Sequence, residues 1–477
     1  MRNAYSVESV RSGERVLMAR GPEGALMQRA AAGLAAVCAR LLGKVYGSRV
    51  ALLVGSGDNG GDALYAGARL ARRGAGVGAV LLDPARAHAG GLAALRAAGA
   101  VVVDADDPRA EAMVGGARLV VDGIVGIGGR GGLRETAVRL VGAVRDATVV
   151  AVDLPSGVDA DTGEVPGHAV RADVTVTFGA YKPGLLIDPA REYAGVVRLV
   201  DIGLDLAADA CVAQAPQFAD IAPLLPVPGG ESDKYRRGVV GIVAGSARYP
   251  GAAVLAVAGA LRGGAGAVRY VGPAADAVVA RFPEALVSTG PPAGAGRVQA
   301  WVAGPGLGDD EERLRDVVAA DVPVLIDADG LRLAGEARVR ARSAPTLLTP
   351  HAGEAAALLG VDRAEVEAGR LAAVRELARR YGATVLLKGS TTLVASERGA
   401  VRVNPTGTPW LATAGSGDVL SGLAGALLAA GLDARDAGTV GAYLHGLAGR
   451  HAADGAPVAA QDVADAIPAA WREARRP

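Results

Sequence analysis

Short apolar runs that end in glycine-rich loops recur along the whole chain, and no feature restricts its fold more. Arg49-Val-Ala-Leu-Leu-Val54 reads as a buried strand running into the loop Gly55–Gly61, with a helix expected from about Ala63 to Arg73. Further strands are expected at Val77–Leu82, Val101–Val103, Leu119–Val121, Val149–Val152, Val174–Thr177 and Val196–Val200. The opening forty residues read as helical, with Leu17, Met18, Leu26, Met27, Leu34 and Val37 on one apolar face. A second alternating pattern starts at Gly238–Gly245. It continues through Ala267–Val271, Trp301–Gly304, Val324–Asp327, Thr346–Thr349 and Thr384–Lys388. Strands that alternate with helices build a parallel sheet with helices on its faces.

The stretch from about Asp205 to Asp233 is rich in proline and holds Gly229-Gly230, so the boundary between two α/β domains is placed there, giving 1–213 and 214–477. A length of 477 residues also exceeds one ordinary core. Lys+Arg equals Asp+Glu, and aromatic residues make up 3%, which leaves neither a basic field nor a stacking surface for nucleic acid. Cys38 and Cys211 lie far apart and outside any metal-ligand spacing, a pattern that fits a reducing cytoplasm. The N-terminus lacks the apolar core of a signal peptide, and the apolar runs are short and broken, so no membrane span is expected.

The densest chemistry lies at Thr413-Ala-Gly-Ser-Gly-Asp-Val-Leu420, followed by the apolar run Val419–Leu428. Glycines without Cβ let backbone N–H groups close on an anion, and a helix N-terminus adds unpaired donors. Asp418 is placed to take a proton from a hydroxyl beside a phosphate. Lys388-Gly-Ser-Thr-Thr392 follows a strand and can hold a nucleotide phosphate through amides, hydroxyls and the Lys388 charge, or it can be a plain strand-to-turn junction. Gly304-Pro-Gly-Leu-Gly308 is a ligand loop or a turn. Leu348-Thr-Pro-His351-Ala-Gly-Glu354 opens a helix, where His351 either touches substrate or serves structure. Asp327 and Asp329 end a strand, where acids face magnesium or cap a helix.

In the first half, Gly55-Ser-Gly-Asp-Asn-Gly-Gly-Asp62 joins a strand to a helix and offers the oxygens of Asp58, Asn59 and Asp62. Val121-Asp122-Gly-Ile-Val-Gly-Ile-Gly-Gly-Arg130-Gly-Gly132 and Asp153-Leu-Pro-Ser-Gly157 are two further strand-end loops. Asn59, Asp122 and Ser156 can converge on one monovalent ion, or each can be an ordinary turn residue. Gly55, Gly57 and Gly60 also fit a dinucleotide-binding pattern with Asp83 ending the next strand, but glycine matches are cheap in a chain with 69 glycines.

Taken together, Asp233–Gly238, Tyr249–Ala253, Gly304–Gly308, Thr349–Glu354, Lys388–Thr392 and Asn404–Gly422 resemble the ADP/ATP-dependent NAD(P)H-hydrate dehydratases, which have a ribokinase-like fold. The loops of residues 17–205 resemble the NAD(P)H-hydrate epimerase domain. There the family usually reads Asn where this chain has Asp58, and Gly where it has Ala63. The resemblance implies a bifunctional repair enzyme with a Rossmann-like three-layer α/β/α domain and a ribokinase-like three-layer α/β/α domain. Asp418 would be the base for phosphoryl transfer, Asp153 the first candidate for the epimerase base, and Lys182 its partner or a phosphate grip. The epimerase substrate would contact Asp58, Asn59, Gly60, Gly61, Asp62, the run Gly126, Ile127, Gly128, Gly129, Arg130, Gly131 and Gly132, and Asp153. Potassium would sit on Asn59, Asp122 and Ser156. The dehydratase substrate would contact Ala253, Gly306, His351 and Asp418. The nucleotide, ADP or ATP with magnesium, would contact Lys388, Gly389, Ser390, Thr391, Thr392 and Gly417. The family often forms oligomers, so a homo-oligomer is an expectation, although no helix here shows a self-association seam. The rival is a ribokinase-like small-molecule kinase of the hydroxymethylpyrimidine or hydroxyethylthiazole type, with an N-terminal nucleotide-binding module.

Overall fold

The computed structural model describes residues 1–476; Pro477, the last residue of the expected second domain, lies outside them. The chain divides into two compact units, one of residues 3–213 and one of residues 1–2 with 214–477.

The unit of residues 3–213 is built on seven parallel strands in the spatial order Val101–Asp104, Gly76–Leu81, Arg49–Val54, Leu119–Gly123, Thr148–Val152, Val174–Phe178 and Val196–Val200. The central strands are runs of Val, Leu and Ala that are buried throughout, as a sheet covered on both faces requires. The chain builds outward from Arg49–Val54 and then returns to its other side with Leu119–Gly123. The order therefore reverses between those two strands, and a crevice opens beyond their carboxyl ends.

The expected opening helix is two helices, Val7–Met18 and Ala25–Leu42. Among the described residues, Ala25–Leu42 is the one helix long and apolar enough to cross a membrane, and it was not foreseen as such. Its buried residues Ala31, Leu34, Cys38 and Leu42 join the same core as Leu52, Val54 and Val176 of the sheet.

The second sheet has eleven strands, of which nine run in the order Val401–Val403, Leu393–Ala395, Thr384–Leu387, Thr346–Leu348, Val324–Ile326, Ala300–Ala303, Val239–Val243, Ala267–Val271 and Leu286–Ser288. Pairing is parallel from Thr384–Leu387 to Leu286–Ser288 and antiparallel in the hairpin formed by Leu393–Ala395 and Val401–Val403. The expected strand list lacked that hairpin and Leu286–Ser288, although it held Val324–Ile326 and Thr346–Leu348, which are equally short but are buried throughout, whereas Leu286–Ser288 is an exposed edge strand. The order reverses between Val239–Val243 and Ala300–Ala303. The loops that follow these strands touch there, with Gly245 N–H donating to Pro305 C=O at 2.7 Å.

Helix Ser416–Ala429 is buried along nearly its whole length. Its backbone lies against helix Pro250–Arg262 so closely that a Cβ on Gly422 would sit 1.9 Å from the Ala256 carbonyl oxygen. Glycine is what permits that approach.

Candidate functional site

Both candidate sites lie where an open parallel sheet makes its crevice. In the C-terminal unit, Gly415 adopts a left-handed backbone, φ 87°, and the helix Ser416–Ala429 starts immediately after it. Asp418 stands in the first helical turn, where the helix dipole favours negative charge. Burial, followed by the charge of Asp327, outweighs that dipole and the pull of Lys388, and raises the carboxyl to about 7. A carboxylate that titrates near neutrality suits a general base.

Lys388 ends strand Thr384–Leu387 and donates to Asp327 Oδ1 at 2.7 Å, with Glu354 Oε2 at 3.7 Å. Burial works against its charge, but Asp327 and Glu354 prevail and raise its pKa. Asp327 is almost fully buried, and its second oxygen accepts from Ser421 Oγ at 2.7 Å. The lysine is therefore ion-paired beneath the glycines of the anion loop, not turned to solvent. A Cβ on Gly417 would lie 3.5 Å from its Nζ.

Asp329 accepts from Gly308 N–H at 2.8 Å and fixes the Gly304–Gly308 loop. In that loop, a Cβ on Gly306 would meet Ala252 Cβ at 2.7 Å, which places the loop over the start of helix Pro250–Arg262 and hence beside Ala253. His351 caps helix Ala352–Leu359. Its Nδ1 accepts from Glu354 N–H at 3.1 Å while Glu354 Oε2 accepts from His351 N–H at 2.7 Å. The ring is exposed overall, with its Nε2 3.5 Å from Glu354 Oε1. The cap is the structural alternative of the sequence reading, and a ligand at Nε2 would compete with Glu354. Among the described residues, no group of three or more His, Cys, Asp or Glu side chains is arranged to hold a metal ion.

In the N-terminal unit, the helix expected from Ala63 begins at Asp58. Asp58, Asn59, Gly60, Gly61 and Asp62 are therefore its first turn and a half instead of a preceding loop. The glycine-rich stretch is compatible with helix because Gly57, φ 94°, makes the turn before it. Of the two departures from the family pattern, Asp58 is exposed at the helix start, and Ala63 is fully buried against Gly123. Asp62 is buried, and its Oδ1 has no hydrogen-bond partner. Burial, reinforced by the charges of Asp153, Asp58 and Glu14, pushes its carboxyl well above the usual range. Asn59 Nδ2 is buried and unpartnered as well.

Asp122 is fully buried. It accepts from Ser156 N–H at 2.8 Å, from Ser156 Oγ at 2.6 Å and from Ile124 N–H at 3.3 Å. All these partners are neutral, and burial raises the carboxyl to about 6 despite them. Asn59 Oδ1 lies 2.9 Å from where a Cβ on Gly126 would be, so it reaches the loop that Ser156 also holds through Val125 N–H and C=O. The unpartnered Asp62 Oδ1 and the Asp122 carboxylate without a cation are oxygens of the kind a monovalent ion takes, whereas the unpartnered Asn59 Nδ2 is a donor and leaves that residue only its Oδ1 for a cation. The rest of the glycine run, Ile127 to Gly132, extends from this point toward the surface, with Arg130 exposed.

Asp153 has a left-handed backbone, φ 65°, a conformation that costs a non-glycine residue roughly 1–3 kcal/mol. Its Oδ1 takes an ion pair from Lys182 and hydrogen bonds from Thr177 Oγ1 at 2.9 Å and Phe178 N–H at 3.3 Å. Its Oδ2 has no hydrogen bond among the described residues. Lys182 is 1% exposed and also donates to Thr177 Oγ1 and the Phe178 carbonyl. Glu14, on helix Val7–Met18, joins this charge cluster, and burial raises its pKa against the pull of Lys182. The sequence reading missed it. No spacing signal exists, because the helix reaches the site only through folding.

A family model described as NAD(P)H-hydrate dehydratase matches residues 240–469, and one described as YjeF-related protein N-terminus matches residues 23–184. A protein of Mycobacterium tuberculosis named bifunctional NAD(P)H-hydrate repair enzyme Nnr is 50% identical over 450 residues, covering 92% of this chain and 91% of the relative. A namesake from Corynebacterium glutamicum is 36% identical over 575 residues, covering 98% of each. A solved structure of the ADP/ATP-dependent NAD(P)H-hydrate dehydratase of Bacillus subtilis, co-crystallised with ATP and Mg2+, is 30% identical with a TM-score of 0.50; the match covers 54% of this chain and 97% of that one. On the length and identity of these matches, the chain belongs to the family of bifunctional NAD(P)H-hydrate repair enzymes.

Proposed function

We propose that residues 3–213 interconvert the R and S hydrates of NADH and NADPH, and that the unit from Gln214 onward dehydrates the S form with ADP or ATP consumed. The observation that carries this reading is Asp418: a carboxyl held at about 7 on the N-terminus of a buried helix, beside an ion-paired lysine and a glycine loop. The ring hydroxyl of the hydrate is a poor leaving group. Asp418 takes its proton as the oxygen attacks the terminal phosphoryl group, and the N–H groups near Gly417 stabilise charge on that group. Phosphate then leaves from the ring carbon as a neighbouring carbon gives up a proton, which restores the double bond. Lys388, Gly389, Ser390, Thr391 and Thr392 hold the nucleotide, and Ala253, Gly306 and the free face of His351 line the hydrate. Magnesium, when bound with the nucleotide, shields phosphate charge.

In the N-terminal unit, Asp153 Oδ2 is the acid–base atom, and Lys182 holds the carboxylate in place. Asn59, Asp122 and Ser156 would hold potassium, whose charge would offset that of the Asp122 carboxylate. The residues Asp58–Asp62 and Gly126–Gly132 line the hydrate and its phosphates. The protein works in the cytoplasm, which its two buried cysteines, neither in a disulfide, support. A homo-oligomer remains part of this reading.

The test incubates purified protein with hydrated NADH, magnesium, potassium and ADP or ATP, and follows absorbance of the restored dihydronicotinamide. Folded protein that gives no nucleotide-dependent recovery would defeat the reading. A stable phosphorylated product from a thiazole or pyrimidine alcohol would favour the small-molecule kinase instead.

A further inference from the structure

We infer that Arg370 is a positioning residue for the nucleotide loop Lys388–Thr392: its buried guanidinium turns the loop's carbonyls inward so that an amide faces the phosphates. The inference deepens the nucleotide-binding reading above and rests on it. Arg370 starts helix Arg370–Tyr381 and is 6% exposed. Its Nη2 lies 3.4, 3.1 and 3.2 Å from the carbonyl oxygens of Leu387, Lys388 and Thr391. One guanidinium thus gathers carbonyls from both ends of the loop.

A trans peptide directs its N–H opposite to its C=O. With the Lys388 carbonyl turned toward Arg370, the Gly389 N–H points away from it, and Gly389 and Ser390 are exposed. The Lys388 N–H is already used by the Pro350 carbonyl at 2.8 Å. Gly389 is therefore the amide of the Lys388–Gly389 corner left to meet an anion. Its lack of a side chain has the same cause: a Cβ there would stand 2.3 Å from Arg370 Nη2. The segment after the hairpin closes the loop's other side, where a Cβ on Gly407 would stand 2.4 Å from the Ser390 carbonyl oxygen. The guanidinium also places a permanent positive charge behind the loop, and a lysine there would keep the charge without holding a nitrogen at the Nη2 position.

The test uses Arg370→Met and Arg370→Lys in the full chain. ADP affinity is measured by titration calorimetry with magnesium present, and dehydratase kinetics are taken with ADP and hydrate varied separately. The KM and Kd for ADP should rise about tenfold or more in Arg370→Met, the loss expected when a phosphate contact is misaligned, and less in Arg370→Lys. The kcat at saturating ADP and the KM for hydrate should hold within about threefold. Epimer exchange should be unchanged, and a wild-type-like urea transition in the fluorescence of Trp301, Trp410 and Trp471 certifies that the C-terminal unit is folded. If Arg370→Met does not fold, Arg370→Lys decides. A wild type that binds ADP, with folded variants that bind it equally well, overturns the role of Arg370 alone. So does a loss that falls on kcat with ADP affinity intact. A wild type that does not bind ADP overturns this inference together with the nucleotide reading.

Discussion

Replacing Asp418 by Asn should stop dehydration and, at alkaline pH, make the C-terminal unit more stable. The helix dipole favours a charge in this first turn by roughly 0.3–1 kcal/mol. Burial and Asp327 oppose it and win, moving the carboxyl from 3.8 to about 7 against the pull of Lys388. At 1.36 kcal/mol per pH unit, the folded state then carries about 4 kcal/mol of penalty on the ionised form. Solvent reaches part of this side chain, so about half of that, ~2 kcal/mol, is the working figure. The folded pKa lies above the unfolded one. The penalty is thus absent below about pH 4, grows between about 4 and 7, and is constant above.

Asparagine is neutral throughout and keeps the shape. Lys388 retains Asp327 as its partner. Urea unfolding followed by tryptophan fluorescence isolates the effect, because Trp301, Trp410 and Trp471 all lie in the C-terminal unit. Asp418→Asn should match wild type near pH 4 and exceed it by ~2 kcal/mol at pH 8. A difference independent of pH, or a variant weaker than wild type at pH 8, would refute the electrostatic argument. Recovery of NADH from its hydrate by this variant would refute the assignment of the base.

The remaining predictions concern other parts of the chain. Asp153→Asn should leave epimer exchange at the spontaneous rate and cost roughly 3 kcal/mol of stability, because it strands Lys182 as a buried unpaired charge; exchange kinetics and a melt of the N-terminal unit check both. Potassium should raise the melting temperature of the N-terminal unit at pH 8. The effect should fade below about pH 6, where Asp122 is protonated and no longer holds a cation, as potassium titrations at both pH values would read. Asp122→Asn should remove that potassium dependence. Gly422→Ala should destabilise the C-terminal unit by about 1–3 kcal/mol or more by forcing its two closest helices apart, measured by the same tryptophan-monitored unfolding.

Much of the fold was legible because its signals are local. Runs such as Val50–Val54 and Thr384–Leu387 carry β-branched and leucine side chains, and the loops after them carry glycine. The apolar stretch after Asp418 could only be a buried helix in such a scheme. Boundaries were less legible. Four glycine or aspartate residues hid the true start of helix Asp58–Ala71, because propensity disfavours what the turn at Gly57 and the switch-point crevice impose. Among the three-residue strands, the buried Val324–Ile326 and Thr346–Leu348 were legible, whereas the exposed edge strand Leu286–Ser288 and the hairpin were not.

The sequence by itself determined that two open α/β sheets form and which loops lie at their carboxyl ends, since strand and turn propensities act over a few neighbouring residues. Only the tertiary structure decided how those loops are charged. It set Lys388 against Asp327, 61 positions away, brought Asp122 to Ser156 and Glu14 toward Asp153, and spent His351 partly on a helix cap. Desolvation and Coulomb forces depend on distance in space, and a chain reveals that distance only after it has folded.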